Sequence, residues 1–178
     1  MFLRPIFISL SMVTLCSCAI SSDARYIAPS ATPTAVLSIQ ANSDSSGVTG
    51  MHYKAILFPD NNCKIENRNL LGQELMGKDS ISMSGGAIPA GRPIRVGLFY
   101  SESRPGEIRS CTAMLEFTPN GGESYNARFR SDRQAATCTM ALIDHSGAQV
   151  SADIPGDCDY DIGVGGSKKY KYKVELQR

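Results

Sequence analysis

The chain has no tryptophan, only two histidines, and no apolar run long enough to cross a bilayer as a helix. Without tryptophan, a core must be assembled from aliphatic side chains, Met, Tyr and Phe. With 42% apolar residues in 178 positions there is material for one ordinary domain. The longest apolar run, residues 5–15, falls well short of the roughly 20 residues a spanning helix needs. His52 and His145 do not stand at zinc-finger spacing from a cysteine pair, so no metal is expected. An excess of charge is missing too. Eighteen Lys and Arg against 17 Asp and Glu give +1, which offers no electrostatic case for nucleic acid.

The N-terminus reads as an export signal. Arg4 is followed by the apolar run and then by the small residues of Cys16-Ser17-Cys18-Ala19, the charged, apolar, small order of a secretory leader. Leu15-Cys16-Ser17-Cys18 resembles the lipobox of bacterial lipoproteins, with Cys16 an unusual occupant of its variable position. The resemblance implies a signal peptide over residues 1–17, lipid (palmitate and related acyl chains) on Cys18, and membrane anchoring. Ala19 in place of Asp implies sorting to an outer membrane, facing the periplasm. Without residues 1–17 the formal charge is 18 − 1 − 17 = 0.

Four cysteines remain: Cys63, Cys111, Cys138 and Cys158. An even number in an oxidising compartment predicts two disulfides. Three pairings are possible. The expected one is Cys63–Cys111 with Cys138–Cys158, because Cys158 closes an acidic loop that follows the strand opened by Cys138.

Residues 18–34 are rich in Ser, Ala, Thr and Pro and read as a flexible tether. Residues 35–178 form the expected domain. Period-two alternation predicts about seven strands. They cover Ala35–Ala41, Met51–Phe58, Ile94–Tyr100, Cys111–Phe117, Tyr125–Phe129, Cys138–Leu142 and a final run from Lys169 to Leu176. Leu70–Met76 is ambiguous between strand and helical turn. With sixteen Gly and nine Pro marking turns, the expected fold is all-β, a two-sheet antiparallel sandwich, with a small β-barrel as the alternative.

Phe117-Thr118-Pro119, Gly121-Gly122 and Tyr125 form a strand-to-strand corner. It resembles the tyrosine corner of immunoglobulin-like domains, in which the hydroxyl bonds back to the preceding loop. The cysteine two places after such a tyrosine is missing, since Ala127 stands there. With the lipobox, Ile88-Pro89-Ala90-Gly91 and the spaced cysteines, the chain resembles Gram-negative envelope lipoproteins that carry a small immunoglobulin-like sandwich. That resemblance implies an architecture and no named activity.

Candidate chemistry is sparse. Asp157, Asp159 and Asp161 alternate like calcium ligands, but Ile162 and Lys168 stand where an EF-hand needs Gly and Glu. Gly163–Lys168 lacks the order and spacing of a phosphate loop. Asp144-His145-Ser146 reads as a turn, because a catalytic triad is gathered from distant positions. His52 lies in an apolar strand and reads as packed rather than catalytic. The Lys168, Lys169, Lys171 and Lys173 ladder with Tyr170 and Tyr172 suits either a basic binding strip or a solvated edge strand. The expectation is therefore a non-enzymatic envelope module, without cofactor, that binds a protein or cell-wall polymer. The alternative is a periplasmic inhibitor or immunity protein against a lytic enzyme.

Overall fold

The computed structural model describes residues 26–28, 30, 32–44, 50–59, 63, 68–75, 80–132, 137–156, 158, 168–171 and 173–176. Among them are ten strands and no helix, so none is available to cross a membrane. The strands are β1 (Thr34–Ser43), β2 (Gly50–Phe58), β3 (Asn69–Leu75), β4 (Ser80–Pro89), β5 (Ile94–Arg104), β6 (Glu107–Phe117), β7 (Ser124–Asp132), β8 (Thr137–Asp144), β9 (Lys168–Lys171) and β10 (Lys173–Leu176). They form two five-stranded sheets, ordered β3-β2-β5-β6-β9 and β10-β8-β7-β1-β4. The first is called sheet A and the second sheet B. Each ends on free-standing edge strands, so the expected sandwich is what forms, not the barrel.

The pairing is mostly antiparallel. Three pairs are parallel: β1 with β7, β6 with β9 and β8 with β10. Alternation decides what each sheet sends inward. Leu37, Ile39 and Ala41 of β1 meet Tyr53, Ala55 and Leu57 of β2, with Val96, Leu98 and Tyr100 of β5 and Ala127 and Phe129 of β7 in the same core. Tyr53, Tyr100 and Phe129 give this Trp-free core its aromatic mass. The Tyr53 and Tyr100 ring centroids are 5.0 Å apart and those of Tyr100 and Phe129 6.1 Å.

Seven strands become ten for two reasons. Leu70–Met76 proves to be strand β3 over its described residues, and β4 was not foreseen. The final run divides, since β9 joins sheet A and β10 joins sheet B. β4 escapes a period-two reading because it bulges. Leu37 pairs with Gly86 but Ile39 with Met83, so Ser84 and Gly85 together oppose Ser38. The buried positions therefore switch from Ile81 and Met83 to Ile88 and Ala90. Gly85 lies so close to β1 that a Cβ would stand 2.6 Å from the Leu37 carbonyl oxygen, and Gly86 has φ of 95°. Both glycines are needed for the bulge.

The corner is as expected. The Asn120 N–H donates to the Tyr125 hydroxyl at 2.9 Å, and the Phe117 and Tyr125 rings meet edge to face at 5.5 Å. Backbone bonds lace this end together: Ala90 N–H to the Pro33 carbonyl, Gly91 N–H to Pro119 and Gly122 N–H to Thr34. Tyr26 also packs against the core, so ordered packing begins inside the span expected to be tether.

The cysteine pairing is corrected. Cys111 pairs with Cys138, with Cα atoms 6.4 Å apart, and Cys63 with Cys158, at 5.6 Å. The physical reason is facing direction. Cys111 and Cys138 are both on inward positions of strands in opposite sheets and are fully buried, so they meet across the core. Cys63 and Cys158 both lie outside the strands, on the outer side of sheet A.

Candidate binding face

The two outer faces of the sandwich differ. On sheet A, Ile56, Phe58, Phe99 and Met114 form a second, smaller apolar cluster, against which Cys63 and Cys158 pack. Register builds it row by row. Phe58, Arg95 and Glu116 lie abreast, then Ile56, Gly97 and Met114. Gly97 leaves the space that Met114 fills, since a Cβ there would stand 3.0 Å from both Sδ and Cε of Met114. Arg95 is buried, bonded through Nε to Glu116 Oε2 at 2.7 Å, with Nη1 3.3 Å from the Cys158 sulfur. Asp153 bridges to Glu116 in both directions, tying the segment that leads to Cys158 onto β6.

Sheet B's outer face carries no such cover among the described residues. Arg128, Gln40 and Ser82 lie abreast on β7, β1 and β4, and Arg130, Asn42 and Ser80 form the next row. All six are exposed and line an open concavity of about 820 Å³. A third row begins with Asn126, whose Nδ2 donates to Ser38 Oγ at 2.7 Å while its Oδ1 accepts from Arg128 Nε at 3.3 Å. Those six residues include two cations and no acid. Asp44, Asp132 and Glu175 stand at the margin, the first two one step further along β1 and β7 and the third two strands beyond Arg130. Val36 is the one large apolar side chain exposed on this face among the described residues, two rows from Gln40.

Between the sheets, the core ends in a polar group. The Tyr100 hydroxyl donates to Glu102 Oε2 at 2.7 Å and lies 2.8 Å from Ser43 Oγ. Because the phenol proton is committed to the carboxylate, Ser43 is the donor in the second bond. Arg109 Nε stands 3.0 Å from Glu107 and 4.0 Å from Glu102, which is only 1% exposed. These contacts satisfy a charge that would be costly to bury alone. With Glu102 buried and each of its partners bonded, the geometry of the group reads as structural.

The residues singled out from the sequence are not gathered into a site. Asp144 Oδ1 accepts from the Ser146 hydroxyl at 2.7 Å, the Ser146 N–H at 2.8 Å and the Ala148 N–H at 2.9 Å, which is a turn. The Ser146 bond, aided by those backbone donors, holds the Asp144 carboxyl below the usual carboxylate range. His145 points elsewhere, with Nδ1 2.6 Å from Glu123 Oε2. His52 is on the outer side of sheet A, its Nε2 buried without a hydrogen-bond partner among the described residues. Burial, with Lys54 nearby, holds it below the usual imidazole range. No group of three metal-ligating side chains occurs among the described residues. The lysine ladder is split, because Lys168–Lys171 belong to the edge of sheet A and Lys173 to the edge of sheet B. Cys18, Asp157, Asp159, Asp161 and residues 163–167 lie outside the described residues.

No family model, curated protein or solved structure matches the chain. The polar face was not singled out from the sequence. Its signal was the outward half of the same alternation: Ser38, Gln40 and Asn42 on one strand, Asn126, Arg128 and Arg130 on another. That these strands lie side by side is a fact of topology, since they are some ninety positions apart.

Proposed function

We propose that the protein is a non-enzymatic binding module of a bacterial envelope, held at the membrane by lipid on Cys18 and facing the periplasm. The observation that carries this reading is the contrast between the outer faces. One is covered in part by an apolar cluster and a disulfide, while the other presents six exposed polar side chains on rigid, paired strands. Side chains placed on strands are better oriented for recognition than side chains on loops.

A photo-crosslinking amino acid at Gln40 or Ser82, in protein expressed in an envelope, tests the reading. Capture of a defined envelope component from these positions, lost in the Arg128→Gln/Arg130→Gln double variant, is expected. No capture, or capture unchanged by the double variant, would remove sheet B's face as the binding surface. Palmitate labelling tests the anchor: it should enter the wild type and be absent from Cys18→Ser.

A further inference from the structure

We propose that the ligand of the β7-β1-β4 face is an acidic polysaccharide bearing carboxylates, a claim that rests on the reading of this face as the binding surface. The argument starts from charge. Arg128 and Arg130 are two apart on one strand, so their guanidinium groups emerge from points about 7 Å apart on the same side. The Arg128 Nε also touches Asn126 Oδ1, which restrains its position. An arginine fork pairs a carboxylate through two parallel N–H bonds. Two of them in line suit a chain that repeats its negative charge.

The neighbours select the rest of the ligand. Gln40 and Asn42 offer both donors and acceptors, and Ser80 and Ser82 add hydroxyls. Together with the arginines they extend across three strands, a width of about 10 Å. Such an array matches a surface dense in hydroxyl groups. Protein partners, by contrast, are anchored by Trp, Tyr and Arg packed together in a desolvated centre. The two rows hold the arginines but no aromatic side chain, and Val36 stands apart from them. A neutral sugar would leave the arginines unanswered, and a bare polyanion would leave the amides unused.

The test is equilibrium binding of fluorescently labelled oligogalacturonate to the full chain, with dextran oligosaccharide and polyphosphate as competitors. Arg128→Gln/Arg130→Gln should weaken binding at least tenfold, and Gln40→Ala/Asn42→Ala should weaken it too. Both pairs are exposed, so the melting temperature should be unchanged and loss of folding is separable from loss of binding. Dextran should not compete. Absence of binding, binding indifferent to the arginine pair, or binding indifferent to the amide pair while polyphosphate competes equally would each overturn the inference. If it is overturned while envelope crosslinking from Gln40 still depends on Arg128 and Arg130, the face remains the binding surface and only the ligand class is wrong. If that crosslinking is also indifferent to them, both readings fall.

Discussion

Sheet A and sheet B share one core, yet their outer faces are built by opposite rules. On sheet A the outward positions of β2, β5 and β6 include Ile56, Phe58, Phe99 and Met114, and the chain returns to cover them with Cys63 and Cys158. On sheet B the outward positions of β1, β4 and β7 are mostly Gln, Asn, Ser and Arg, and the two central rows meet solvent. The first face therefore belongs to the stability of the protein and the second is free to serve recognition. The same alternation produces both. What differs is the residue type placed on the half that does not enter the main core.

The largest expected effect tests the covered face. Replacing Cys63 and Cys158 by Ala opens a loop of sequence separation 95, for which closure entropy gives about 4–5 kcal/mol. Guanidinium denaturation should show a loss approaching that size. A loss no greater than that of a surface substitution would show that the cover is ornamental. Phe99→Ala should cost about 3–4 kcal/mol, because the ring is fully buried on the outer side of the sheet. Gln40→Ala, on the opposite face, should stay within about 0.5 kcal/mol. Equal effects at these two positions would erase the distinction.

The corner that joins the two sheets should respond between these limits. Tyr125→Phe removes the acceptor of the Asn120 N–H and should lower stability by about 1 kcal/mol, read from the denaturation midpoint. The smallest effect concerns His52, on the outer side of sheet A. Its folded pKa lies below the ordinary value of 6.5, so the unfolded chain binds the proton more readily. Its contribution is complete above pH 6.5 and is lost as pH falls from there through the folded pKa. His52→Gln should flatten that segment of the stability profile, and an unchanged slope there would place the acid sensitivity elsewhere.

Much of the sandwich was legible wherever alternation ran unbroken, as in β1, β5, β6 and β7. The corner was legible because one tyrosine at a fixed distance from Pro119 and Gly122 carries it. β4 was illegible because Ser84 and Gly85 shift its phase, and in β3 the register slips, with Ala55 opposite Gly72 but Ile56 opposite Leu70. The disulfides were half legible. Inward alternation already set Cys111 beside Ala113 and Leu115, and Cys138 beside Met140, so facing direction argued for joining those two. Proximity along the chain argued for Cys138 with Cys158 and was the weaker guide. The candidate face required knowledge of which strands are neighbours, and that depends on long-range pairing that no local pattern encodes.

That long-range pairing also governs the order in which the protein can assemble. β1 sits between β4 and β7, and the bond from Ser38 Oγ to the Tyr125 carbonyl spans 87 positions. As the chain emerges from its N-terminus, β1 is made early but cannot gain its second neighbour until β7 has followed. β2, β3, β5 and β6 are complete before then, so four of sheet A's five strands can pair while sheet B still waits. Topologies dominated by such distant contacts fold slowly, on a scale of about milliseconds to seconds. Until β7 arrives, one edge of β1 remains open to strands of other chains, and this interval is when the protein is most exposed to misassembly.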